Sequence, residues 1–225
     1  MYQTENAMCY RYKAPEDKTQ AEIEFDAKFA RPETFNPSKH IVNGFDFPIM
    51  PIIVDERPDL IVNGRWKLIP PFVKSDDPKE YRANTLNARI EELRNKPSWK
   101  DSADNRCLIL AQSIVEHHHQ EVPGKKKVNK IPYEIWKHCN RPFAIAGIYS
   151  MRSGMPTYTM VMTEANTLMA QVHNSAERMP VILDKDEYRR WLTGEDEMNF
   201  ADRSHIELQA VMIDDDSNED QTSLF

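Results

Sequence analysis

Glycine is scarce in this chain, six among 225 residues, and none stands in a phosphate-cradling pattern. Walker loops and dinucleotide folds need closely spaced glycines so that backbone N–H groups can approach phosphate. No Gly-x-Ser-x-Gly elbow is present either, which speaks against serine-hydrolase chemistry. Only three cysteines occur, Cys9, Cys107 and Cys139. Their odd number and wide spacing argue for a reduced protein without a disulfide framework. The longest apolar stretches, such as Leu108–Ala111 and Phe143–Ile148, fall far short of a membrane span. No charged-then-apolar leader opens the chain, so a soluble, cytoplasmic protein without a membrane partner is expected.

Metal-binding patterns are also missing. There is no Cys-x-x-Cys, no His-Glu-x-x-His and no carboxylate cluster at ligand spacing. The run His117–His119 is conspicuous, but neighbours in a strand point to opposite faces, so the three cannot share one ion without distortion. Neither a metal nor a cofactor is expected.

What is present is an uneven charge. The net value of −7 conceals a middle, residues 65–141, with 16 Lys and Arg against 10 Asp and Glu. Residues 184–225 carry 4 against 13. An ordinary solvated surface can look like this. So can an anion-binding face paired with a tail that discourages nonspecific contact.

The length suits one domain. Helices are expected over Glu16–Phe29, over Asn84–Asn95 (Leu86, Ile90 and Leu93 recur at helical spacing, with Pro97 as the stop), over Asn166–Gln171, and over Asp184–Leu192 behind an Asp cap. Strands are expected over Pro48–Val54, Leu60–Asn63, Cys107–Val115, Phe143–Tyr149 and Thr157–Thr163, with a basic hairpin turn at Pro123–Lys130. This irregular interleaving predicts an α+β fold, a single domain with a curved, barrel-like, mostly antiparallel sheet flanked by helices. Residues 214–225 are acidic and polar, and are expected to be a disordered tail.

Several short motifs occur in order: Met8-Cys9-Tyr10-Arg11, Asn87-Ala88-Arg89, Arg106-Cys107-Leu108 leading to Glu116, Phe143–Gly147, Thr163–Asn166, His173-Asn174 and Arg178–Leu183. Together they resemble the SRAP family (SOS-response-associated peptidase), the abasic-site processing proteins, from Cys9 to about Leu192. The resemblance implies a domain over residues 9–213 with a basic groove for single-stranded DNA, and a monomer. It implies a covalent crosslink, a thiazolidine, between an N-terminal cysteine and the aldehyde of an abasic site. It further implies lyase-type and self-processing peptidase activity in the DNA damage response.

Carried over by position, Cys9 would crosslink and Asn87 would position the ring or amine. Glu116 would handle the amine proton, and His173 would act on the sugar hydroxyl. Arg11 and Arg89 would hold phosphate, and Trp66 would stack a base. The chemistry of the residue types agrees. An α-amine of pKa about 7.7–8.0 is partly neutral near pH 7, where a lysine at about 10.4 is not. Imidazole and carboxylate can relay protons, and guanidinium forks match phosphate. Each role has a plainer alternative: Asn87 as a helix cap, Glu116 as a solvated strand end, His173 as a turn residue, Arg89 paired with Glu91 or Glu92, Trp66 as core.

This chain departs from the family pattern. Tyr10 stands for the usual glycine, Lys67 for the glycine after Trp66, and Phe72 where tryptophan is common. Residues 1–8 precede Cys9, and while they remain its nitrogen is an amide that cannot form a Schiff base. Translation from Met8, cleavage of the segment, or its retention in a protein that only binds are the three accounts; a mature chain lacking residues 1–8 is the expectation. Two other functions stay in play: a cysteine peptidase using Cys9 and His173, and a noncatalytic single-strand DNA-binding module built on Lys125–Lys127, Arg89 and Trp66.

Overall fold

The structure, a computed structural model, describes residues 8–35, 41–124, 128–137 and 140–214. Among these the strands are β1 (Arg11–Lys13), β2 (Lys28–Phe29), β3 (Val42–Asn43), β4 (Ile49–Val54), β5 (Leu60–Trp66), β6 (Asn87–Arg89), β7 (Arg106–Ala111), β8 (Ser113–Glu121), β9 (Val128–Lys137), β10 (Phe143–Arg152), β11 (Met155–Glu164), β12 (Arg178–Pro180), β13 (Ile182–Leu183) and β14 (Leu208–Met212). Three short α-helices accompany them: α1 (Lys18–Phe25), α2 (Thr167–Val172) and α3 (Glu187–Leu192).

Five strands close a ring. β5 pairs with β4, β4 with β7, β7 with β10 and β10 with β11, all antiparallel, and β11 returns to β5 in parallel. Closure removes the exposed edges that an open sheet would present. A second sheet, in the order β14-β9-β8-β1-β3, is antiparallel throughout. The α+β, mostly antiparallel barrel of the sequence reading is therefore present.

Alternation along the strands builds two cores. Cys107, Ile109, Phe143 and Ile145 face one, shared with Tyr12, Ile114 and Ile135 of the second sheet. Leu108, Leu110, Ala144 and Ala146 face the other, covered by Phe25 of α1 and Trp191 of α3. Close strand approach needs Gly147, which sits opposite Cys107. A Cβ there would lie 2.7 Å from Cys107 Sγ and 3.0 Å from the backbone oxygen of Thr159.

Several predicted elements differ. The helix expected over Asn84–Asn95 is instead β6 followed by a 3₁₀ turn at Ile90–Glu92. Its apolar spacing serves two surfaces, because Leu86 belongs to one core while Ile90 and Leu93 belong to the other. β6 itself is held by parallel pairing with β11. The single strand over Cys107–Val115 is two strands in different sheets, broken at Gln112, whose backbone N donates to the Lys13 carbonyl at 2.7 Å. α1 is shorter than predicted: Asp17 caps it at Gln20 N (2.8 Å), and Asp26 ends it at φ 49°. Asp184 does not cap α3; its backbone N donates to Glu187 Oε2 at 2.8 Å. The hairpin joins β8 to β9, but Lys125–Lys127 lie outside the described residues, as do Cys139, residues 1–7 and residues 215–225. Among the described residues, no helix is long and apolar enough to cross a membrane.

Candidate active site

Cys9 lies two residues before β1 and is fully buried. Asn87 Nδ2 donates to its carbonyl oxygen at 2.8 Å, which ties the start of the chain to β6. β6 presents Asn87 toward this site because Ala88, on the opposite face, fills the helix-covered core. Asn87 Oδ1 is buried and makes no hydrogen bond, an acceptor held in reserve where orphaned buried groups are rare.

Glu116 lies within β8 and is only 5 % exposed, so it is no solvated strand end. Burial pushes its carboxyl up to about 8, with the Cys9 thiol and the Arg11 charge pulling the other way. Its Oε1 accepts no N–H or O–H. The Cys9 thiol is raised well above its ordinary value, first by burial and then by the facing Glu116. His173 ends α2, with its backbone N bonded to the Met169 carbonyl at 2.7 Å. Its Nε2 stands 3.5 Å from Glu116 Oε2, and burial lowers the imidazole to about 4. Near neutral pH the carboxyl thus keeps its proton and the ring stays neutral. Asn174 fixes this contact: its Oδ1 accepts from His119 N at 2.8 Å and its Nδ2 donates to the His119 carbonyl at 3.0 Å.

Asn87, Glu116 and His173 open onto a cavity of about 780 Å³, while Cys9 itself stays buried between the lining residues Met8 and Tyr10 in the chain. Met8, Tyr10, Phe45 and Asn84 line the cavity, and His117, His119, Lys96 and Lys130 bring cationic or ionisable groups to it. His117 and His119 both reach it, as same-face residues of a strand must, while His118 turns to the Gln171 carbonyl (3.0 Å).

The profile of the SOS response associated peptidase (SRAP) family matches residues 8–216, and hence the whole of this site. The chain belongs to that family. Among relatives, this SRAP chain is 31% identical over 204 residues to the abasic site processing protein YoaM of Bacillus subtilis, covering 88% of this chain and 81% of that one. It is 37% identical over 150 residues to YoqW of the same species, covering 64% and 62%, and 29% identical over 165 residues to chicken HMCES, covering 61% of this chain and 46% of that one. A solved structure from Bacteroides thetaiotaomicron aligns with TM-score 0.76 and 27% identity over 92% of this chain and 93% of that one. Another, from Bordetella bronchiseptica, aligns with TM-score 0.74 at 24% identity over 92% of this chain and 100% of that one, and so speaks to the fold alone.

Of the residues singled out in the SRAP sequence, Asn87, Glu116 and His173 line one cavity, and Cys9 is buried against Asn87 and Glu116. Arg11 sits close enough for its charge to act on Glu116. Arg89 stands two residues beyond Asn87, outside the cavity wall, with its guanidinium 4.0 Å from Glu92. Trp66 is a correction. Its ring is fully buried, its Nε1 donates to the Leu86 carbonyl at 2.8 Å, and it offers no face on which a base could stack. The sequence marks Lys96 and Lys130 only as part of a basic stretch and gives no role to Phe45 and Asn84; the fold brings all four to the cavity. Sequence reading also missed a second grouping, Asp184, Glu187 and His205, with ligand atoms within 4.8 Å of one another. Lys137 (2.5 Å from Asp184) and Arg203 (2.7 Å from Glu187) already neutralise its carboxylates.

Proposed function

We propose that this protein processes abasic sites in single-stranded DNA by forming a covalent thiazolidine through Cys9 once residues 1–8 are gone. The observation that carries this reading is that Asn87, Glu116 and His173 line one cavity and that buried Cys9 is tied to two of them, its carbonyl to Asn87 and its thiol facing Glu116, with its neighbours Met8 and Tyr10 on the cavity wall. Removal of residues 1–8 would leave the α-amine of Cys9 beside Glu116. A carboxyl at about 8 is nearly matched to an α-ammonium of about 7.7–8.0, so a proton can pass between them at little cost.

The neutral amine then adds to C1′ of the open-chain aldehyde. Water leaves, with Glu116 returning the proton. The Cys9 sulfur adds to the imine carbon while the thiol proton moves to nitrogen, closing a five-membered ring. One water is released and no oxidant or reductant is consumed. His173 holds Glu116 and exchanges protons with the opened sugar's hydroxyl, and Asn87 keeps the Cys9 backbone in register. Arg11 supplies positive charge for phosphate, with Lys96 and Lys130 on the rim.

A general cysteine peptidase is less well supported. Such an enzyme needs a depressed thiol pKa beside an imidazole. Here the thiol is raised and the imidazole contacts Glu116 instead. Self-cleavage at the Met8–Cys9 bond remains part of the proposal, because that bond borders the same cavity. The test is a denaturing gel of protein beginning at Cys9 mixed with abasic single-stranded DNA. The expected result is a band that survives denaturation with wild type and is absent with Cys9→Ala; a surviving band with Cys9→Ala would overturn the assignment.

A further inference from the structure

We infer that Tyr10 and Phe45 form a stacking platform for the nucleobase next to the lesion, the part that the buried Trp66 cannot play. The inference rests on the DNA-processing reading above and specifies how the same cavity grips its substrate. The two rings lie 4.6 Å apart at an interplanar angle of 43° on the cavity wall, Tyr10 being the residue that follows Cys9. Phe45 is 55 % exposed, a large apolar ring left in solvent beside a polar and cationic cavity. Bases stack on such rings irrespective of sequence, because every base has a π-face.

The platform is built to be rigid. Phe45 lies in the 3₁₀ turn Gly44–Asp46, where its backbone N donates to Asn43 Oδ1 at 3.1 Å. Gly44 N donates to the Tyr10 carbonyl at 2.8 Å, so the two aromatic residues are joined through backbone as well as ring contact. Beneath Gly44 lies the Trp66 ring, close enough that a Cβ on residue 44 would be 3.2 Å from three of its carbons. Trp66 therefore acts as the footing of the platform. Above, Asn84 Nδ2 donates to the Tyr10 hydroxyl at 2.9 Å and fixes the phenol. A surface ordered before binding loses little freedom on binding, which favours affinity.

An abasic strand presents a gap flanked by bases. With the sugar carbonyl drawn to Cys9, the neighbouring base is one nucleotide away, within reach of rings that start at residue 10. Tyr10 in place of the family's glycine thus adds stacking surface rather than only narrowing the entrance.

The test uses single-stranded oligonucleotides carrying a tetrahydrofuran lesion, which has no aldehyde and reports reversible binding alone, with 2-aminopurine placed on either side of it. Wild type is expected to quench the fluorophore on one side only. Phe45→Ala is expected to lose the quench and to bind about tenfold more weakly. Phe45→Leu, which keeps apolar bulk without an aromatic face, is expected to behave like Phe45→Ala. Unquenched fluorescence on both sides, or equal affinity for wild type and Phe45→Ala, would overturn the platform. Covalent capture of an aldehyde oligonucleotide by the same wild-type preparation would then leave the Cys9 reading standing, whereas absence of capture would remove the reading beneath it.

Discussion

Glu116 carries the sharpest consequence at the scale of single residues. In the unfolded chain its carboxyl ionises near 4.5, and in the fold it keeps its proton to about 8. The native state therefore binds more protons than the unfolded state between those values, and stability falls as pH rises through that window. His173 works on the other flank. Depressed from 6.5 to about 4, it costs stability as pH falls between them. Glu116→Gln should therefore gain on the order of 4–5 kcal/mol over wild type by pH 8.5 and little by pH 4.5, read from denaturant melts at both pH values. The same variant should slow DNA capture by at least about a hundredfold, the low end for a lost acid–base group. A difference that does not grow with pH would contradict the buried, protonated carboxyl. Cys9, Glu116 and His173 are singled out in the sequence because the ordered motifs resemble a family, and the fold brings Glu116 within 3.5 Å of His173 and against Cys9. The exposure of Phe45 and the burial of Trp66 were not legible there, because one depends on how the turn Gly44–Asp46 sits on the barrel and the other on which face of β5 the two sheets cover.

At the scale of elements, the errors share a cause. A helical spacing of Leu86, Ile90 and Leu93 is read as one face, whereas the chain bends between Arg89 and Ile90 and feeds two cores. The apolar run from Cys107 continues past Gln112 without a glycine or proline to mark the change of sheet. Pairings such as β6 with β11 or β11 with β5 join segments far apart in sequence, so no local window contains them. Strands with both faces buried, β7 and β10, were easier, since a continuous apolar run is what two cores demand. Their crossing point gives a further prediction. Gly147→Ala should lower stability by about 1–3 kcal/mol, because Cys107 Sγ can give way slightly while the Thr159 backbone cannot. Chemical denaturation would measure this, and the double variant Gly147→Ala with Cys107→Ala should recover part of the loss. No recovery would mean that the backbone contact dominates.

At the scale of the whole molecule, the barrel serves as a rigid frame that gathers the residue before β1, the turn after β3, β6, the middle of β8 and the end of α2 around one cavity. Charge follows the same division: the basic middle of the sequence supplies Lys96 and Lys130 to the rim, and the acidic excess lies toward the C-terminal end. The central claim is chemical, a ring formed from the α-amine and thiol of Cys9 with a sugar aldehyde. Intact mass spectrometry of the product with an abasic oligonucleotide tests it most directly. The predicted mass is that of a chain beginning at Cys9 plus the oligonucleotide less one water, with borohydride unable to add hydrogen once the ring has closed. An adduct that retains residues 1–8, or one that borohydride still reduces, would contradict it.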